Sequence, residues 1–449
     1  MKQSYFLIPY LNFVALILGP VNFAIGASVP KFDVAVIGSG PAGLAASIGI
    51  RRAMGDISLA VFERSSELRE VGGQVGLTSP AFNALKALDP SGTLETNVIK
   101  GGQQRKTFRM LDMNDSVVTE NAVDPDSKQV VIAWFQLQKV LKSFLSQNTC
   151  LASKEEKGDD FLYLGKELES LEEKDDCVHL KFRCGYECFA KIVIGADGNL
   201  SQVRSILFED EVFPEYAGSC IWRMFLRGSY DQIELGESNV WTGDGKVLAI
   251  QKMGTEGDMR LYVSGQCGWP KDELHVLDRK RYIGVEDGGE TGGTQSNQDR
   301  LERFLKSFEG FPSKVLDFAK EHYDSASILE HPIYFRPVNR PWGVGRVTLI
   351  GDAAHMIPPN MAMGTPLAFE DSVSLAHALR LHGLNPEALR EYEKERQPRV
   401  NKIAYAAIKA SGLYYQEKDE SANPFKMNDK DLFSYIMSYS QDDVPSSLS

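Results

Sequence analysis

Asp33-Val-Ala-Val-Ile37 is a short apolar run of buried-strand type that runs directly into Gly38-Ser39-Gly40-Pro41-Ala42-Gly43, and residues 44–54 then read as a helix. Strand, glycine turn and helix in that order leave few folds open. Gly38 permits the tight turn, Gly40 lets backbone approach a pyrophosphate, and Gly43 lets the helix pack against the strand. The phosphates then meet a helix N-terminus, where unpaired N–H groups and the helix dipole favour an anion. A second apolar strand, Ser58-Leu-Ala-Val-Phe62, ends at Glu63, twenty residues beyond Gly43, where a carboxylate can accept hydrogen bonds from ribose hydroxyls. With Ser39, Pro41, Ala42 and Arg64 alongside, these residues predict a dinucleotide site and leave NAD and FAD both open.

Composition sets the outer limits. A chain of 449 residues has room for two or three domain-sized units, and 43% hydrophobic with 24% charged residues is ordinary globular usage, which excludes wholesale disorder and collagen. The net charge of −12 repels a polyphosphate backbone, and no long Lys/Arg cluster offsets it, so no nucleic-acid partner is expected. Cys150, Cys177, Cys184, Cys188, Cys220 and Cys267 include no CxxC pair; they read as small core residues, with no metal site and no disulfide framework. The amino terminus differs from the rest. Residues 3–30 carry no charge, with an apolar run at 13–18 and a small-x-small pattern at Ala24-Ile-Gly26, so residues 1–30 are read as a signal peptide or membrane anchor. Pro9, Asn12, Pro20 and Asn22 oppose a spanning helix. The expected location is membrane-associated, organellar or in the secretory pathway; a cytoplasmic chain with an apolar extension is the alternative.

Two later motifs narrow the cofactor. Lys191-Ile-Val-Ile-Gly-Ala-Asp197-Gly198, continuing to Ser201 and Arg204, is an apolar strand with an acidic glycine turn, and Gly345-Arg-Val-Thr-Leu-Ile-Gly351-Asp352-Ala-Ala-His355 is another. Taken with the first turn, their order and spacing resemble the class A flavoprotein monooxygenases, the p-hydroxybenzoate hydroxylase fold that includes salicylate hydroxylase-like enzymes and zeaxanthin epoxidase. The resemblance covers roughly residues 32–403. It implies bound FAD, transient reduction by NADPH or NADH, and oxygen transfer from a flavin C4a-hydroperoxide that hydroxylates an aromatic ring or epoxidises an alkene, polyprenoids included. A reductase or halogenase on a similar fold, or a non-catalytic FAD-binding protein, is the alternative.

Site roles follow from the same resemblance. It places Asp352 on a ribityl hydroxyl, and Asp197 and Gly198 near the pyrophosphate and the passing NAD(P)H. An Asx-type turn is the plain reading of Asp197 and a helix cap that of Asp352. Gly364 and Thr365 open a helix whose positive end faces the flavin pyrimidine edge, and Pro358-Pro359 passes the reacting face. Arg223, beside Trp222 on a predicted inner strand, is the candidate catalytic residue, orienting an anionic substrate or the flavin; an ordinary salt bridge is the alternative. No general base is named, and His355 is assigned to the cofactor turn. The chain departs from the family at Met363-Gly364-Thr365-Pro366, where Pro366 lacks a backbone donor and is suited to the first helical position, at Trp134, which replaces an Arg or Gln, and at Ser47, which replaces Ala or Gly.

The predicted fold is α/β: a Rossmann-type FAD-binding domain with a second, sheet-based substrate domain, preceded by the apolar N-terminal segment. The segmentation is 31–204 and 341–440 for the FAD-binding domain, 205–340 for the substrate domain and 441–449 for a disordered tail. Residues 221–226, 247–250 and 260–263 read as strands, 284–299 as a surface loop, and 301–308 as an amphipathic helix.

Overall fold

The computed structural model describes residues 29–124, 127–147, 160–208, 214–228, 230–255, 258–276, 296–325, 328–416 and 430–439. The expectations for residues 1–28, for most of the 284–299 loop and for the 441–449 tail lie outside these. Among the described residues no helix is long and apolar enough to cross a membrane.

In chain order the strands are β1 (Lys31–Ile37), β2 (Leu59–Phe62), β3 (Gln74–Leu77), β4 (Gln103–Gln104), β5 (Thr107–Leu111), β6 (Val117–Ala122), β7 (Val130–Ala133), β8 (Leu162–Tyr163) and β9 (Leu168–Glu173). They continue as β10 (Val178–Phe182), β11 (Glu187–Gly195), β12 (Glu215–Arg227), β13 (Glu237–Gly243), β14 (Lys246–Thr255), β15 (Asp258–Gly268), β16 (Leu329–Phe335), β17 (Gly343–Val344) and β18 (Val347–Leu349). The helices are α1 (Pro41–Met54), α2 (Ser79–Leu88), α3 (Thr93–Gly101), α4 (Trp134–Gln147), α5 (Gln202–Leu207), α6 (Asn297–Ser307), α7 (Ser313–His322), α8 (Asp352–His355), α9 (Gly364–His382), α10 (Pro386–Gln416) and α11 (Lys430–Met437).

The first sheet runs β17-β18-β11-β1-β2-β8, with β10 and β9 continuing beside β11. Its centre is parallel: β1 pairs with β11 and β2, and β11 with β18. Val34, Ala35 and Val36 are fully buried, as a central parallel strand covered on both faces requires. The second sheet runs β16-β12-β15-β14-β13-β5-β6 and is mostly antiparallel. Side chains alternate across its pleat. Trp222, Met224, Leu226, Leu248, Ile250, Leu261 and Val263 form one core with Phe304 of α6, Phe308 just past its end and Val315 of α7. Hence α6 covers one face through the amphipathic stripe expected at 301–308. Arg223, Phe225, Gln251, Tyr262 and His331 point the other way, toward the first unit, where Phe225 meets Phe135 of α4 at 6.1 Å between ring centroids.

The three strands expected at 221–226, 247–250 and 260–263 are present as parts of β12, β14 and β15. One feature differs from the linear segmentation. The β5–β6 hairpin lies in the sequence stretch assigned to the first domain, yet it extends the second sheet through a parallel β5–β13 pairing, Thr107 beside Glu237 and Leu111 beside Trp241. Met110 and Leu111 are buried there, between β13 on one side and β6 on the other. Pro366 also stands third in α9 rather than first. It remains inside the first turn, where a missing donor costs the helix nothing.

Candidate functional site

The glycine turn closes where β1, β11 and α1 meet. Gly38 has φ +107° and donates its N–H to the Phe62 carbonyl at 2.8 Å. A Cβ on Gly38 would lie 2.4 Å from the Ala196 carbonyl oxygen, and one on Gly43 would lie 2.1 Å from the Gly38 carbonyl oxygen. Both positions are therefore closed to any side chain. Gly40 caps α1, Pro41 is its first residue, and the first turn closes with the Leu44 N–H on the Gly40 carbonyl at 3.0 Å. The N–H groups of Ala42 and Gly43 precede that bond and have no intrahelical acceptor, the arrangement that receives a phosphate. Ser47, buried in the same helix, bonds back to the Gly43 carbonyl at 2.7 Å and leaves the approach undisturbed.

Glu63 reaches this turn from the end of β2. One carboxylate oxygen accepts from the Ser39 N–H at 3.0 Å and from the Ser39 hydroxyl at 2.8 Å, and the other from the Ser65 N–H at 3.0 Å. The acid thus braces the loop while keeping lone pairs for a ribose; Arg64 beside it is exposed. Sequence reasoning missed Gln138. Its amide donates to the Ser39 carbonyl at 2.8 Å from the buried face of α4, and the available signal was a polar residue four positions after Trp134 on that face. The Trp134 indole lies 3.4 Å from where a Gly40 Cβ would sit and its own Cβ 2.9 Å from that of Gly72, so the ring forms a wall against the turn.

The second motif is brought to the same point, since the Ala196 N–H donates to the Ile37 carbonyl at 2.8 Å. Asp197 takes the structural role: its oxygens accept from the Ser201 hydroxyl at 2.5 Å and from the N–H groups of Gln202 and Val203 at 2.7 and 3.1 Å, capping α5. Burial raises its carboxyl above the usual range despite those donors. Gly198 follows at φ +82°, open to the cleft.

The third motif completes the floor. The Ile350 N–H bonds the Gly195 carbonyl at 3.0 Å, and a Cβ on Gly351 would lie 3.0 Å from the Ala42 Cβ and 3.4 Å from the Ala368 Cβ. Three separate stretches of chain thus share one small volume. Asp352 opens α8 as an exposed residue, and desolvation by the surrounding protein atoms raises its carboxyl above its ordinary value. A Cβ on Gly364, the first residue of α9, would lie 3.8 Å from Asp352 Oδ1, so Gly364, Thr365 and the positive end of α9 face the same cleft. Arg204, buried in α5, donates to the carbonyls of Ala353 and Ala354 at 3.3 and 3.5 Å and ties the second motif to the third.

The inner face of the second sheet meets the first unit at Gly73 and Gln74. Arg223 packs on Gly73, whose added Cβ would lie 2.5 Å from Arg223 Cδ and 3.3 Å from the Tyr262 hydroxyl. Its guanidinium donates to His331 Nε2 at 3.0 Å, so that nitrogen is unprotonated. Burial, aided by the Arg223 charge, pushes His331 well below its ordinary value. His331 was not foreseen, for β12 and β16 bring it to Arg223 from 108 residues away. Gln74 of β3 donates to Gln251 of β14 at 2.8 Å, joining the two units beside this point. The segment Pro358-Pro359 leads to Ala362 at φ +52°, whose Cβ lies 3.6 Å from where a Gly76 Cβ would be, which sets it beside β3.

The residues fit FAD: a helix N-terminus where two glycines leave no room for a side chain, Glu63 braced on the same turn, and Asp352 beside the N-terminus of α9. Comparison with known proteins agrees. A family described as FAD binding domain matches residues 319–407. Aurachin C monooxygenase/isomerase of Stigmatella aurantiaca is 28% identical over 376 residues, covering 82% of this chain and 86% of that protein. A chloroplastic zeaxanthin epoxidase of an Oncidium hybrid cultivar is 27% identical over 412 residues, 85% of this chain and 56% of that longer protein. Among solved structures, Klebsiella pneumoniae HpxO complexed with FAD and uric acid superposes with a TM-score of 0.70 at 19% identity, covering 92% of this chain and 94% of that one.

Proposed function

We propose that this chain, a flavoprotein monooxygenase whose cofactor is FAD, inserts one oxygen atom into an aromatic ring or an alkene held against the inner face of the second sheet, with NADPH or NADH as the reductant. One observation supports the placement above the others: the glycine turn, Asp352 and the head of α9 come together in the first unit, and the neighbouring stretch Gly73-Gln74 is what meets Arg223, Tyr262 and Gln251 on the inner face of the second sheet. Bound FAD supplies the electron transfer and the oxygen activation. The protein's part is to bind, orient and enclose.

The N–H groups of Ala42 and Gly43 hold the pyrophosphate, Glu63 a ribose hydroxyl, and Asp352 a ribityl hydroxyl. Gly364 and Thr365 present the two free donors at the head of α9, and the helix dipole favours negative charge at the pyrimidine edge. Pro366 offers no third donor. Arg223, held on Gly73 and steered by His331, orients an anionic substrate or the flavin ring. Phe225 and Tyr262, with ring centroids 4.9 Å apart, form an apolar wall that helps keep water from the reacting atoms. The uncharged stretch 3–30 supports targeting or anchoring of the chain, to be tested by membrane fractionation of the full-length protein.

The deciding experiment is anaerobic bleaching of the FAD-loaded protein by NADPH and by NADH, alone and with a panel of phenolic acids and polyprenoid alkenes, followed by product analysis under labelled oxygen. Ligand-accelerated bleaching with one labelled oxygen atom in the product is the expected result. Flavin that binds but is never reduced, with any ligand in the panel, overturns the reading in favour of a cofactor-binding protein.

A further inference from the structure

Behind the Gly351-Asp352 turn lies a charged cluster sealed from solvent. Asp371, on α9, is completely buried, as is its neighbour Glu370. Asp371 Oδ2 accepts from the Gly351 N–H at 3.1 Å and from His355 Nε2 at 2.6 Å. A carboxylate can only accept, so His355 Nε2 carries the proton. The other oxygen accepts from Arg396 Nε at 3.0 Å. Arg396 also donates to Glu370 at 2.8 Å, and Glu370 in turn takes a two-point bond from Arg399 at 2.7 and 3.0 Å. Burial alone would raise the Asp371 carboxyl, but His355 and Arg396 outweigh it and hold the group ionised.

The cluster is costly to build for stability alone, because a buried ion pair is often matched or bettered by apolar residues of the same volume. What apolar residues cannot supply is an acceptor for the Gly351 N–H, at a glycine with φ +57° whose conformation aims Asp352 into the cleft. We propose that Asp371 is a positioning residue for the cofactor: by accepting from the Gly351 N–H and His355 it sets the turn so that Asp352 is ready for FAD before FAD arrives, while Arg396 and Glu370 hold Asp371 in place. The inference rests on the assignment of this cleft to FAD.

A matched pair of variants isolates the acceptor. D371N/R396M and D371L/R396M remove the same two charges and leave Glu370 on Arg399, but only the first keeps an oxygen where Gly351 needs one. FAD affinity, read by quenching of flavin fluorescence, is expected within about threefold of wild type for D371N/R396M and at least about tenfold weaker for D371L/R396M, with similar thermal midpoints for the two apoproteins. Equal affinities for the pair overturn the inference. A measurement on the unaltered apoprotein guards against a variant that does not fold: the Gly351 amide is expected to exchange slowly with solvent deuterium before FAD is added. Rapid exchange that slows only with FAD also overturns it. Failure of the wild-type chain to bind FAD overturns instead the assignment of the cleft.

Discussion

Replacing Gly43 with alanine tests the cofactor turn at its tightest point. The new Cβ would fall 2.1 Å from the Gly38 carbonyl oxygen, 3.2 Å from its carbon and 3.3 Å from the Ala196 Cβ. An unstrained contact needs about 3.5 Å, so α1 and the turn must separate by roughly 1.4 Å. Neither partner yields cheaply, since the obstructing atom is backbone and Gly38 is itself tied to Phe62. Overpacking of this kind costs about 1–3 kcal/mol. Because the displaced N–H groups of Ala42 and Gly43 are those that meet the pyrophosphate, most of that cost appears as lost FAD affinity, about 5- to 150-fold. The assay is titration of apoprotein with FAD, beside thermal unfolding of the same apoprotein. Gly55→Ala is the control: Gly55 has φ +72° with nothing within 4 Å, so it carries backbone strain without touching the turn. An FAD affinity for Gly43→Ala within about threefold of wild type, or equal losses in the two variants, refutes the close-packing argument.

Glu63→Ala removes the acceptor for three donors from Ser39 and Ser65; FAD affinity in the same titration is expected to fall about 10- to 100-fold. Arg223→Lys keeps the charge but not the planar fork on Gly73 and His331, and steady-state kinetics are expected to show a KM for substrate raised about tenfold with FAD affinity unchanged. Glu330→Ala takes a buried carboxylate from Arg303, at 2.6 Å, and from the Trp222 indole, at 2.8 Å. Arg303 is partly exposed and recovers some solvation, so denaturant unfolding should show a loss near the low end of the range for broken buried pairs, about 3 kcal/mol. His331 makes stability depend on pH. Its folded value lies well below the ordinary 6.5, so below pH 6.5 the unfolded chain binds a proton that the folded chain refuses. Its contribution is complete above about pH 6.5 and declines as the pH falls beneath it, by up to about 1.4 kcal/mol per pH unit. Thermal midpoints of wild type and His331→Gln at pH 7.5 and 5.5 check this, the variant being expected to lose less on acidification.

The parts of the site that could be read from sequence are those built from neighbours along the chain. A strand, a glycine turn and a helix occupy residues 31–54, and part of what shapes the turn is short-range, Gly43 against the Gly38 carbonyl and Glu63 only 24 residues from the Ser39 it holds, although Ala196 closes the turn from far along the chain. The same holds for the Gly198 and Gly351 turns, each carried at a strand end by its own φ requirement. Asp197 shows where motif reading stops: the acid and glycine are recognisable as a turn, but only the structure shows its carboxylate occupied by α5 donors.

Residue type, periodicity and turn chemistry therefore determined the α/β fold, the three glycine turns and three of the second sheet's seven strands, because each depends on a few consecutive residues. Tertiary structure alone decided that the β5–β6 hairpin joins the second sheet, that Gln138 supports Ser39 across 99 residues, and that His331 meets Arg223 across 108. It also decided that Asp371 stands beneath Gly351. Pairing register and helix docking set which face of an element meets a distant one, and a one-residue shift would send a strand side chain to the opposite face and turn a helical one by about 100° away from its partner, so no local pattern can specify them.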